Sequence, residues 1–241
     1  MKVAYKTDVG KKRTHNEDSI IVDESMHIFL LADGMGGHQA GEVASYLAVK
    51  ECYAWLKEHI DKARNEEDIL KLLVESLLKA HHTVRAGSAT DINLAGMGTT
   101  LIQMFVIANN AHICHVGDSR AYLVRNGIKQ ITRDNTSEMY FVKEGIAVEG
   151  VLPVQKMRVL TQAVGGQATP VPEIKQIKLH PKDILLLCSD GLTDMLPDEE
   201  IESIIQKYRD NLTLAVGNLI HEANDKGGID NISVILIEYE Q

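Results

Sequence analysis

A chain of 241 residues, 44% hydrophobic and 24% charged, can bury one sizeable core, and its composition excludes fibrous and disordered classes. Its formal net charge of −9 argues against general nucleic-acid binding, which needs a basic face to neutralise phosphates. No apolar run approaches the ~18 residues of a membrane span. The N-terminal MKVAYKTDVGKKR lacks a signal-peptide stretch, and Cys52, Cys114 and Cys188 have no paired spacing, so a soluble cytoplasmic protein with reduced cysteines is expected.

Val3–Thr7 alternates weakly and predicts a first strand, followed by a dense polar cluster and a short strand at Ser19–Val22. Within the cluster Arg13 precedes Glu17 and Asp18, offering a fixed cation beside a carboxylate pair. Adjacent side chains of an extended backbone point to opposite faces, so only one of Glu17 and Asp18 is expected to touch a shared ligand directly. Ile28–Ala32 is a continuous apolar run and predicts a strand buried on both faces, ending in Asp33 and the glycine-rich turn of Gly34, Gly36 and Gly37. A carboxylate at the rim of a core is costly to desolvate without a partner, and a bound cation is one candidate.

The apolar spacing of Ala44, Leu47, Ala48, Cys52, Trp55 and Leu56 predicts a helix over Glu42–Ile60. Asn65 followed by Glu66, Glu67 and Asp68 reads as the start of a second, whose buried face carries Leu70, Leu73, Leu77, Ala80 and Val84. Gly96–Asn109 reads as a strand entered through a glycine turn. Two more strands follow across Ala111–Val124, with Gly117-Asp118-Ser119 between them; Asn126-Gly127 is a hairpin turn, and Gln130–Thr132 completes the meander. The period then breaks. A short helix is expected at Glu138–Lys143 within a surface flap at about 134–153, and another at Arg158–Val164. Glu173–Leu179 alternates as a strand, Asp183–Ser189 is a second buried run ending at Asp190, and two amphipathic helices bring the chain to Gly227-Gly228, Asp230 and a last strand at Ile232–Tyr239. Without repeat, low-complexity tract or linker, residues 1–241 are expected to form a single domain.

Asp33, Asp118, Asp190 and Asp230 each stand at one end of a core strand, so four carboxylates from distant parts of the chain can converge at one rim of a sheet. Oxygen-only ligand sets suit hard cations such as Mg²⁺ or Mn²⁺ rather than zinc. Segregated helices with mainly antiparallel strands point to the α+β class, and two helix pairs imply cover for both outer faces of stacked sheets.

Six pieces in order resemble the metal-dependent protein serine/threonine phosphatases of the type 2C family: RTHNEDS (Arg13–Ser19), LADGMGGHQAGEVAS (Leu31–Ser45), GMGTT (Gly96–Thr100), HVGDSRAYL (His115–Leu123), LLLCSDGL (Leu185–Leu192) and GGIDNISV (Gly227–Val234). The form DGMGGH is similar to the bacterial branch. This resemblance implies a central β-sandwich of two mainly antiparallel sheets flanked by pairs of helices, a four-layer α-β-β-α fold. It also implies that Asp33 bridges two Mn²⁺ or Mg²⁺ ions, with Gly34 lending its carbonyl oxygen. Asp190 and Asp230 would hold one ion, the Glu17/Asp18 pair would support the other, and Asp118 would help hold a weaker third. Arg13 would bind the substrate phosphate.

The implied reaction is hydrolysis of phosphoserine and phosphothreonine by a water or hydroxide shared by two ions. The implied partners are phosphorylated proteins, including a cytoplasmic Ser/Thr kinase whose work it reverses. A monomer with no nucleic-acid or membrane partner is expected. Two positions depart from the family: Met35 replaces the histidine that eukaryotic relatives carry after Asp-Gly, with His38 displaced nearby, and Asp134-Asn135 stands where Asp-His is usual. Two competing readings are a catalytically inactive binding or sensor module of the same fold and a phosphoesterase or nuclease acting on non-protein substrates. The first would lose metal aspartates, which are all present here. The second would show a basic patch with interleaved aromatics, which the sequence lacks.

Overall fold

The computed structural model describes residues 1–36, 40–142 and 154–240. Strands β1 (Lys2–Asp8), β2 (Asp18–Asp23) and β3 (Ile28–Met35) come first, and β3 buries every side chain from Ile28 to Ala32. Helix α1 (Ala40–His59) then leads to α2 (Glu66–Thr90), whose first turn is capped by the Asn65 side chain accepting the Asp68 N–H at 2.9 Å. That cap fills one of the donors a helix start leaves open, and the acidic residues beside it suit the helix dipole.

A meander follows: the two-residue β4 (Gly98–Thr99), then β5 (Leu101–Ile107), β6 (Asn110–Val116), β7 (Arg120–Val124) and β8 (Ile128–Gln130). The hairpin of β9 (Thr136–Val142) and β10 (Val154–Leu160) precedes β11 (Glu173–Lys178) and β12 (Ile184–Cys188). The short α3 (Asp190–Thr193), then α4 (Asp198–Lys207) and α5 (Leu212–Asp225), lead into the last strand, β13 (Ile232–Glu238).

Two antiparallel sheets stack face to face. One has the order β11-β6-β5-β3-β2, with β4 pairing the end of β3; the other has the order β1-β13-β12-β7-β8. Phe29, Leu31, Ile102 and Met104 from the first sheet meet Leu185, Leu187, Ile235 and Ile237 from the second in the core between them. On the outer face of the first sheet, Leu30, Leu101 and Cys114 pack under α1 and α2 through Cys52, Leu56, Leu73 and Leu77. On the outer face of the second, Leu186, Val234 and Leu236 pack under α4 and α5 through Ile201, Ile205, Val216 and Leu219. Central strands are thus apolar on both faces, which is why they read as unbroken hydrophobic runs. The four-layer α-β-β-α arrangement expected of the sequence is the observed one.

Two local expectations fail. The helix expected at Glu138–Lys143 is instead β9, and the one expected at Arg158–Val164 is instead the end of β10 and the segment after it. The two strands pair antiparallel, Thr136 opposite Leu160 and Glu138 opposite Arg158. A helix of six or seven residues is marginal by itself, and here each segment finds its backbone partners in the other. Beyond β10, Val164 exchanges backbone hydrogen bonds with Thr99, at 2.9 and 3.0 Å. Of the expected flap, residues 143–153 lie outside the described residues, as do Gly37 and His38.

Candidate active site

At one rim of the sandwich, a cleft of about 690 Å³ is lined by Arg13, Glu17, Asp33, Gly34, Asp118, Asp190 and Asp230. Those residues come from the β1–β2 loop, the end of β3, the turn after β6, the start of α3 and the loop before β13. Glu17 lines the cleft, whereas Asp18 lies beneath it, beside Asp33. Asp18 is buried, and its Oδ2 accepts the Ser189 hydroxyl at 2.8 Å. Arg13 donates from Nη2 to Asp230 Oδ2 at 2.7 Å, which parks a guanidinium at the mouth.

The electrostatics of this rim are unfavourable for a sheet that only has to fold. Asp18 and Asp33 are directly opposite each other on β2 and β3, and like charges so placed are destabilising. Burial, and after it the charges of Asp18, Asp190, Asp230 and Asp118, hold the Asp33 carboxyl well above the usual carboxylate range. Burial and then Asp118, Asp194, Asp230 and Asp18 push Asp190 up to about 7. Burial also lifts Asp18 to about 6, although its serine hydrogen bonds work against the rise. Asp18 Oδ1 and Asp190 Oδ1 are buried with no hydrogen-bond partner.

Carboxylate oxygens that are buried, crowded and unpartnered fit hard divalent cations, which would supply the missing charge. Among the described residues, no group of three or more His, Cys, Asp or Glu side chains is gathered tightly enough to hold a metal ion by itself. The carboxylates ring the cleft instead, an arrangement that suits ions retaining several of their waters.

The protein phosphatase 2C family model matches residues 10–216 of this sequence. This chain belongs to the protein phosphatase 2C family. It is a protein serine/threonine phosphatase, and the relatives named below are bacterial. The serine/threonine phosphatase Stp of Listeria monocytogenes is 35% identical, with 99% of this chain and 96% of that protein covered. The protein phosphatase PhpP of Streptococcus pneumoniae is 33% identical, covering 100% of this chain and 98% of that one. The crystal structure of the Mycobacterium tuberculosis phosphatase PstP/Ppp superposes with a TM-score of 0.82 at 31% identity, over 100% of this chain and 99% of that chain. A structure of the PstP catalytic domain in complex with two manganese ions gives 0.80 at 30% identity, over 100% and 98%.

Several residues that shape the phosphatase cleft stand inside the family-like pieces, and the structure shows what they hold. Asn231 accepts the Glu17 N–H through Oδ1 at 2.8 Å and donates from Nδ2 to the carbonyls of Val9 and His15, both at 2.9 Å. One amide thereby fastens the loop bearing Arg13 and Glu17 to the turn bearing Asp230. Thr100 does the same for Asp33: its hydroxyl accepts the Asp33 N–H at 2.9 Å, and its own N–H donates to the Asp33 carbonyl at 2.9 Å. Gly34 sits so close to Gly41 that any Cβ would collide with the Gly41 carbonyl, and Gly117, at φ +114°, turns Asp118 toward the cleft.

Arg158 joins the site through the fold alone. It lines the cleft from the end of β10 and donates to Asp134 Oδ2 at 3.1 Å and Asp118 Oδ2 at 3.3 Å. Asp134 is gripped in turn by both ends of the Arg120 fork, at 2.8 to 3.1 Å. Asn135, at the position where the family usually has histidine, accepts the Gly117 N–H at 2.9 Å and so braces the turn before Asp118.

The crowded carboxylates make the metal-free phosphatase pH-sensitive in a defined direction. Burial and its acidic neighbours push the Asp190 carboxyl from its ordinary 3.8 up to about 7, so between those values the folded form holds more protons. Its contribution to stability is therefore complete below pH ~4 and is lost as pH rises to ~7. Carboxylates pulled the other way, Asp23 and Glu173 at about 2, act only at lower pH. Thermal melts of chelated protein are expected to give a Tm several degrees higher at pH 5 than at pH 8, at ~2–4 °C per kcal/mol for this size. Added Mn²⁺ should recover the difference at pH 8. Equal melting temperatures in chelator would mean that the carboxylates do not repel one another.

Proposed function

We propose that this phosphatase removes phosphate from phosphoserine and phosphothreonine of proteins in a metal-dependent reaction, opposing a serine/threonine kinase. The observation that carries this reading is the convergence of Asp33, Asp118, Asp190 and Asp230 with Arg13 around one cleft, with buried carboxylate oxygens left unpartnered beside it. Asp33 would be shared by two Mn²⁺ or Mg²⁺ ions, Asp190 and Asp230 would complete one site, and Glu17 and the Gly34 carbonyl would serve the other. When bound, such a pair lowers the pKa of a shared water and neutralises phosphoryl oxygens during in-line attack.

The protein's own groups orient the substrate. Arg13 stands half-exposed at the mouth, where its planar fork can grip two phosphate oxygens and hold phosphorus toward the aspartates. Its bond to Asp230 keeps that fork in place before substrate arrives. Asp18 acts from behind, buried against Ser189 and opposite Asp33, where its charge adds to the field that favours bound cations. The family resemblance and the neighbour holding two manganese ions support the same reading.

The test is phosphate release from phosphothreonine peptides in Mn²⁺, with wild type compared with Arg13→Ala. The wild type should turn the peptides over, and the variant should raise KM about tenfold with a smaller loss in kcat, as expected of a group that grips ground and transition states alike. An unchanged KM would remove Arg13 from the substrate site, and no turnover of any phosphopeptide would overturn the reading.

Asp118 would help to hold a third, weaker ion. Burial raises its carboxyl above the usual range, and Arg158 offsets part of that rise. In calorimetric titration with Mn²⁺, Asp118→Asn is expected to lose only the weakest binding phase, and kcat should fall about tenfold, or ~1.4 kcal/mol of barrier. An unaltered titration with normal turnover would leave Asp118 a purely structural carboxylate.

A further inference from the structure

Beside the catalytic cleft runs a second groove of about 1160 Å³, and the two share Arg13, Glu17 and Gly36 in their walls. Its far wall is the turn between α2 and β4. That turn is firmly made: the Asp91 carboxylate accepts the Asn93 N–H at 2.8 Å and the Asn93 amide at 2.9 Å, and the Leu94 N–H donates to the Asp91 carbonyl at 3.0 Å. It presents Ile92 to solvent at 85% exposure, so this large apolar side chain contributes nothing to the core. Val43 and Leu94 line the same groove and lean on the core only partly.

We propose that this groove receives the stretch of substrate protein adjoining the phosphorylated residue, and that Ile92, with Val43 and Leu94, seats an apolar side chain of that stretch. The proposal rests on the phosphoprotein reading above. Arg13 stands at the junction, so a phosphate gripped there sits in the cleft with the shared wall open to the backbone beside it. The groove offers the neighbouring residues a continuous path from that point. A phosphorylated residue flanked by an apolar side chain would bury both that side chain and Ile92, and removing such a contact is expected to change selectivity by roughly tenfold.

The experiment compares kcat/KM for three substrates in Mn²⁺: a phosphothreonine peptide with leucines within two residues on both sides, the same peptide with serines there, and a small aryl phosphate. Wild type should prefer the leucine peptide roughly tenfold. Ile92→Ser should reduce that preference to about twofold or less, Ile92→Leu should keep it, and both variants should hydrolyse the aryl phosphate at the wild-type rate. Because Ile92 is exposed, neither change is expected to alter stability, which a thermal melt checks. Equal turnover of the two peptides by wild type, or a preference retained in Ile92→Ser, would overturn the proposal. Hydrolysis of the aryl phosphate with neither peptide touched would instead overturn the phosphoprotein reading, and this inference with it.

Discussion

Asp33→Asn is expected to lower kcat/KM on a phosphothreonine peptide by at least ~1,000-fold, or about 4 kcal/mol of barrier, while the fold survives. Asp33 stands at the centre of the carboxylate ring, opposite Asp18 and repelled by Asp190, Asp230 and Asp118. An amide there keeps the shape but lacks the charge that the proposed sharing between two cations requires. The neighbouring bonds from Thr99 and Thr100 engage the Asp33 backbone, so they survive the substitution. Removing one of several buried like charges should also raise the melting temperature of the chelated protein at pH 8, and the variant should gain less from added Mn²⁺ than wild type does. A variant that retains more than a tenth of the wild-type rate at saturating metal would show that Asp33 is not the shared ligand. Opposite signs for activity and metal-free stability distinguish this site from an ordinary core position, where a substitution lowers both.

Removal of divalent ions is expected to abolish activity altogether, and Mn²⁺ or Mg²⁺ should restore it without refolding. Oxygen ligands hold such ions reversibly. The three apolar cores, between the sheets and under each helix pair, do not include the carboxylate rim, so the architecture should persist through the cycle. Circular dichroism of the chelated protein should therefore match that of the loaded one, while phosphate release falls to background. Full activity after exhaustive chelation would rule out the metal-dependent reading and leave the convergence of aspartates unexplained.

Much of this was legible from residue order. The double-sided apolar runs of β3, β12 and β13 announced central strands, because only strands covered on both faces lack polar alternation. The caps and periodicity of α2 and the apolar stripe of α5 announced helices packed on one face. Aspartates placed at the ends of such runs had to lie at a sheet rim, and that placement brought Asp33, Asp118, Asp190 and Asp230 into view as a group.

What residue order could not determine was every feature decided by a partner far away in the chain. Thr136–Val142 and Val154–Leu160 have no strand-like period of their own and become strands by pairing with each other. Asn231 and Thr100 stand in family-like pieces, but only the fold shows that they hold Glu17 and Asp33, at 2.8 and 2.9 Å. Arg158 comes from the end of β10, and the fold sets it against Asp118 and Asp134. Local pattern reports which face of a segment is buried, because burial depends on the segment's own side chains. It does not report what lies across that face, because hydrogen bonds and ion pairs between distant residues exist only once the sheets have closed.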